Sequence, residues 1–301
     1  MGSRQSGFLP GCGLRNERCL MAVRIITDSG SDILPGEMEG LIVLPLTIAF
    51  GNDVYHDGVD LSHERFFELL VESNENPTTG QVPPFRYSQA FDEVMAAGDE
   101  AVVITISSGV SGTWESACTA AAEYPGKIHV VDSQHVSVGI RVLVEMALAM
   151  AAAGATADQI VERIEASKHK VHFLALLDTL EYLRRGGRIS NVSAALGTIL
   201  AIKPVVTCTD GKIVVMEKPR GLKSGRNIIA DLIRKDGGFD FDLPLCIGYT
   251  GNSDKPALQF LDSCHDLWEG KGEVPISSIG ATIGTHAGPG GFLLAYFGKS
   301  A

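Results

Sequence analysis

Apolar residues recur along this chain in two periods, and the switches between them lay out its elements. An apolar run at 23–27 ends in Asp28-Ser29-Gly30-Ser31-Asp32, as expected of a buried strand followed by capping residues. Residues 41–50 form a second strand region. Ser62 can cap a helix carrying Phe66, Phe67, Leu69 and Leu70, with Glu64 favourably placed in its first turn. After a loop at 77–84, Tyr87, Phe91, Val94 and Met95 share one helical face. A strand at 102–106, a loop at 107–112, a helix at 113–123 and a strand at 128–131 follow. A long, nearly all-apolar helix at 137–153 and an amphipathic one at 157–167 complete this half.

The pattern then changes. Strands are expected at 171–177, 205–208 and 213–216, the last two joined by the turn Thr209-Asp210-Gly211-Lys212. Asp178 and Glu181 have the spacing of a capping box, and Gly186 stops the short helix that would follow. Residues 192–202 read as a helix apolar on nearly every side. Helices at 222–234 and 255–267 alternate with strands at 245–249 and 274–279. Strand–helix alternation in the first half predicts a mostly parallel α/β sheet covered on both faces. Hairpins mixed with helices predict a C-terminal α+β domain with a mixed sheet. The expected division is residues 22–167 and 168–301. Residues 1–21 are expected to be disordered or an extension ahead of a start at Met21.

The 301 residues are 45% hydrophobic and 20% charged, which favours a filled core over extended disorder. A formal net charge of −11 opposes nucleic acid or an anionic membrane as the main partner. No run is long enough for a stable membrane insertion. Residues 1–20 carry Arg4, Arg15 and Arg18 without the apolar core of a secretory signal. The six cysteines form no C-x-x-C pair and are read as reduced thiols, with a cytoplasmic location expected.

Four polar segments carry the candidate chemistry. Gly284-Thr285-His286-Ala287-Gly288-Pro289-Gly290-Gly291 reads as a glycine-rich loop presenting a histidine, suited to an anionic group or a proton transfer. Pro77-Thr78-Thr79-Gly80-Gln81 offers two hydroxyls and an amide. Ser107-Ser108-Gly109-Val110-Ser111-Gly112-Thr113 precedes a helix beyond the carboxyl end of a strand, where a carboxylate or phosphate can be cradled. Arg184-Arg185-Gly186-Gly187-Arg188 concentrates three guanidinium groups. Helix-end compensation accounts for Arg184 and Arg185 but not for Arg188, which lies past two glycines. His56, Asp57, Asp60, His63 and Glu64 resemble a ligand list yet meet no metal spacing, so no metal site is expected. No phosphate loop, dinucleotide turn or nucleophile elbow is present.

In their order along the chain, and together with Arg24-Ile25-Ile26-Thr27-Asp28-Ser29 and Val131-Asp132-Ser133, these segments resemble the DegV family of bacterial fatty-acid-binding proteins. The resemblance implies two domains enclosing one long-chain fatty acid, with no cofactor. It implies that Thr79 and either Ser107 or Ser108 hold the carboxylate, with Ser111, Gly112, Thr285 and His286 around it. It also implies functional roles for Arg188 and His286. Gly80 departs from the pattern, where serine is usual. Some family members serve as the lipid-presenting subunit of a fatty acid kinase, in which a separate ATP-binding chain phosphorylates the carboxylate. The lack of a phosphate loop here fits that division of labour. The alternatives are a lipid carrier without a catalytic partner and a hydrolase built on a serine and His286.

Overall fold

The computed structural model describes residues 22–73, 75–189 and 202–299. Strand β1 (Val23–Asp28) opens the chain, and β2 (Leu41–Leu44) pairs with it in parallel. The expected strand at 41–50 is broken at residues 45 and 46: β2 stays in the first sheet, and β3 (Thr47–Phe50) leaves it. β3 pairs antiparallel with β4 (Asp53–His56), a strand not expected from the sequence. Helix α1 (His63–Glu72) is capped by Ser62, whose hydroxyl accepts from the Arg65 N–H. The expected loop at 77–84 contains a short strand, β5 (Thr78–Gly80), on the other edge of β3.

Next come α2 (Pro84–Ala97), β6 (Glu100–Thr105), α3 (Thr113–Ala121) and β7 (Ile128–Asp132). Helices α4 (Val138–Ala152) and α5 (Ala157–Lys168) follow, the latter begun by a Thr156–Gln159 capping box. The four strands β2-β1-β6-β7 form one wholly parallel sheet. Its period of two separates the faces. Ile25, Val102 and Ile104 pack towards α4 and α5, whereas Ile26, Val103 and Ala101 pack towards α2 and α3.

From β8 (Val171–Leu176) onward the strands build a second sheet. Helix α6 (Glu181–Arg185) follows, then β9 (Val205–Thr209), β10 (Lys212–Glu217), α7 (Leu222–Lys235), β11 (Cys246–Tyr249), α8 (Lys255–Ser263), β12 (Ile276–Ser278), α9 (Ala281–Ala287) and β13 (Phe292–Phe297). The sheet order is β10-β9-β8-β13-β11-β12, antiparallel except for β11 with β12. One face packs on α4 through Phe173, Ala175, Leu293 and Ala295. The other, through Leu174, Leu176, Leu294 and Tyr296, packs on α7 and α8. Helix α4 therefore lies between two sheets, which is why it is apolar nearly all round. No helix among the described residues is long and apolar enough to cross a membrane.

Two local expectations are corrected. The capping box at Asp178 and Glu181 does not form. Leu180 is the N-cap of α6, Thr179 accepts from the Glu181 N–H, and Asp178 pairs with Lys203. The glycine-rich loop at 284–291 is helical in its first half, so His286 stands in the last turn of α9. Gly284 concealed this helix. It sits mid-helix because a β-carbon there would come within 2.6 Å of the Phe66 ring and 2.8 Å of the Phe67 ring. Close packing against α1 outweighs the roughly 1 kcal/mol that glycine costs a helix. The expected apolar helix at 192–202 lies almost wholly outside the described residues.

Candidate functional site

A cavity of about 360 Å³ opens between the two large sheets. Its far wall is the inward face of the mixed sheet: Phe173 and Ala175 of β8 with Leu177 just beyond it, Val206 of β9 and Ile213 of β10. These positions follow from strand alternation, since Phe173, Ala175 and Leu177 project on one face and Leu174 and Leu176 on the other. Ile106 and Val136 close the cavity from the parallel-sheet side, and Ile283 and Ala287 of α9 from above.

One end is polar, where Thr79, Gly80, Gln81, Ser111, Gly112, Arg188 and His286 converge. They come from β5, the loop before α3, the turn after α6, and α9. The Thr79 Oγ1 lies 3.1 Å from the His286 Nε2. The Gly186 backbone passes beneath the imidazole so closely that a β-carbon there would overlap its Nδ1. That Nδ1 is buried and has no hydrogen-bond partner among the described residues. Burial, and then the nearby Arg188 charge, push the His286 pKa down to about 4, so the ring is neutral at pH 7. A neutral imidazole can accept from the Thr79 hydroxyl or donate to an anion delivered into the cavity.

Arg188 is exposed at the rim. Its Nε donates to the Val110 carbonyl at 3.2 Å and its Nη1 to the Gly186 carbonyl at 2.6 Å. Arg184 and Arg185 are both paired with Glu181, whose pKa falls to about 2 through those hydrogen bonds. Arg188 has no carboxylate partner among the described residues. Its charge therefore remains available to an anion at the polar end.

Not every sequence candidate reaches this end. Ser111 and Gly112 line the cavity, but Ser107 and Ser108 do not. The Ser107 hydroxyl is fully buried and donates to the Gly211 carbonyl at 2.7 Å, tying the β9–β10 turn to the serine loop. Ser108 donates to Asp132 at 2.5 Å. Thr285 points back along α9, its hydroxyl on the Ala281 carbonyl at 2.8 Å, and borders only an outer recess. The first serine of the loop that lines the cavity is thus Ser111, whose Oγ is 2.9 Å from the Thr113 Oγ1. Gly186 was read only as a helix stop, because a glycine's role in admitting another side chain leaves no local signal. Asp28, one of the expected capping residues, is a buried cap: it accepts from the Ile106 and Gly30 N–H groups, and burial raises its pKa to about 7.

The family model described as "Uncharacterised protein, DegV family" matches residues 22–299. The chain belongs to the DegV family. A DegV domain-containing protein of Caldanaerobacter subterraneus is 35% identical over 273 residues, covering 89% of this chain and 95% of the relative. Among solved structures, a DegV family protein from Thermus thermophilus, described for its fatty acid binding, superposes with a TM-score of 0.82 at 29% identity. That match covers 92% of this chain and all of the other. A DegV family protein from Eubacterium eligens loaded with heptadecanoic acid gives 0.79 at 27% identity, with 92% and 100% coverage. DegV of Bacillus subtilis, described as a fatty acid binding protein, gives 0.79 at 28%, with 93% and 100% coverage. The DegV fold, with its parallel N-terminal sheet and mixed C-terminal sheet, is that of this chain.

Proposed function

We propose that this protein binds one long-chain fatty acid between its two halves, residues 22–167 and 168–301, and presents the carboxylate to a separate ATP-binding kinase subunit in the cytoplasm. The observation that carries this reading is the polarity of the cavity: an apolar trough that ends in Thr79, His286 and Arg188, whose guanidinium has no carboxylate partner among the described residues. A sixteen-carbon acid has roughly 14 methylenes, whose burial is worth about 11 kcal/mol before the costs of association. The carboxylate must remain hydrogen-bonded or it forfeits much of that gain. Thr79, Ser111 and the Gly112 backbone supply donors, Arg188 supplies charge, and His286 supplies a neutral N–H. The relatives with bound or described fatty acids support the same ligand class.

In this reading Thr79 fixes one carboxylate oxygen, while Arg188 and His286 offset charge that develops as a phosphoryl group is transferred. A hydrolase reading is disfavoured. Among the described residues no serine is hydrogen-bonded to His286, and no acid orients its Nδ1.

Native mass spectrometry of the purified protein is expected to reveal a co-purified acyl chain. Delipidated protein reloaded with that acid should support ATP-dependent acyl-phosphate formation by a kinase subunit from the same cell. Arg188→Gln and His286→Gln should each weaken lipid binding about tenfold and lower that rate far more. Lipid binding without acyl-phosphate formation by any such subunit would leave a carrier. No bound acid at all would refute the ligand.

A further inference from the structure

Asp57 lines no part of the cavity, and the sequence offered it only as a doubtful metal ligand. We propose that Asp57 is the positioning residue for His286: the small sheet β4-β3-β5 grips α9 at both ends, and the Asp57 carboxylate fixes where the imidazole stands. This rests on the reading of His286 as part of the head-group end.

The grip is explicit. Asp57, just past β4 and 1% exposed, accepts from the Ala281 N–H through Oδ1 and from the Thr282 N–H through Oδ2, each at 2.9 Å. The preceding Gly280 N–H donates to Asp32 at 2.7 Å. These are the free donors that begin every helix, and a carboxylate there also complements the helix dipole. At the other end β5 places Thr79 against His286. Between the two, Phe66 and Phe67 press on Gly284. Asp57 is itself held to the cavity wall, its N–H donating to the Leu46 carbonyl at 3.0 Å. Thr282 and His286 are one turn apart, about 6 Å along the axis. A short helix moves as one body, so displacement at Thr282 reappears at the imidazole. His63 is half-buried beside this anchor with its Nδ1 on Ser278, and Arg141 is committed to Glu37 and Glu145. Neither takes the place of the Asp57 bonds to α9.

The test compares Asp57→Asn with Asp99→Asn. Asp99 is another largely buried carboxylate, but it holds Ala22 and Arg24, away from α9. The readouts are the ring titration of His286 by NMR, palmitate affinity and thermal midpoint. D57N is expected to move the His286 pKa from about 4 towards the ordinary 6.5 and to weaken palmitate about tenfold or more. D99N is expected to lower the midpoint without moving that titration. Should D57N not fold, Asp57→Ser, which likewise keeps one capping acceptor, should shift the titration in the same direction. An unmoved His286 titration in the Asp57 variants, or an equal movement in D99N, overturns the proposal. If palmitate does not bind the parent protein the ligand reading fails, while the titrations still decide the role of Asp57.

Discussion

The imidazole of His286 occupies space that a β-carbon on residue 186 would need. Gly186 itself has φ −73° and a right-handed helical conformation that alanine adopts freely. The backbone therefore makes no demand for glycine, and only the ring does. Gly186→Ala is expected to push His286 off Thr79 and weaken acid binding about tenfold. Its thermal midpoint should stay close to that of the parent. Calorimetric titration with palmitate beside a melting curve checks this, and a large loss of stability at unchanged affinity contradicts it.

The tail wall makes a different prediction. Ala175 is buried between Phe173 and Leu177 on the cavity face of β8. Ala175→Leu adds volume inside the trough and leaves the polar end intact. Longer acids should lose affinity by about fourfold for each methylene expelled, which corresponds to ~0.8 kcal/mol. Acids of twelve carbons should be little affected. Affinities across a twelve- to eighteen-carbon series separate this pattern from a uniform loss, which would indicate simple overpacking.

At Gly80 the structure gives a reason for the departure from serine. Gly80 faces Thr47 across the β3–β5 pair, and a β-carbon at 80 would land on the Thr47 hydroxyl. Gly80→Ser is expected to cost about 1–3 kcal/mol through this overlap. Adding Thr47→Ala should return most of it. A double-mutant cycle by denaturant unfolding measures the coupling, and additive effects would show that the two positions do not contend for the same space.

These three positions also show what the sequence could reveal. The alternation of Phe173, Ala175 and Leu177 was readable as a strand, although nothing local said that its inward face borders a cavity. Thr79, Arg188 and His286 stood out because hydroxyl, guanidinium and imidazole groups beside glycine or proline are unusual in a core-rich chain. Their convergence depends on residue separations of up to 207, which no local pattern encodes. Ser107 and Ser108 could not be told apart in the sequence, and the resemblance set both ahead of Ser111 although all three share one loop. The fold distinguishes them by engaging the first with Gly211 and the second with Asp132. Helix α9 and strand β5 were missed for opposite reasons. The glycine inside α9 is demanded by its neighbours, and β5 has only three residues and exists through its pairing with β3.

The suppressed titration of His286 makes acid binding and pH interdependent. In the free protein its pKa is about 4, lowered by burial and Arg188, against 6.5 in an unfolded chain. Between those values the unfolded state binds more protons. The contribution to stability is thus complete above pH 6.5 and is lost, by roughly 2–3 kcal/mol, as pH falls towards 4. Asp28 contributes an opposite slope: burial raises its pKa to about 7, so its effect favours the folded state at low pH and fades as pH rises from about 4 to 7. The His286 effect is therefore isolated by comparing the parent with His286→Gln, which retains Asp28. A carboxylate delivered to Nε2 stabilises the imidazolium and raises the His286 pKa. Binding should then take up a fraction of a proton at pH 5–6, and palmitate affinity should increase from pH 7 to pH 5. Calorimetry in two buffers of different ionisation enthalpy measures the uptake. Equal proton uptake by His286→Gln would assign it to the acid itself and remove the imidazole from the head-group site.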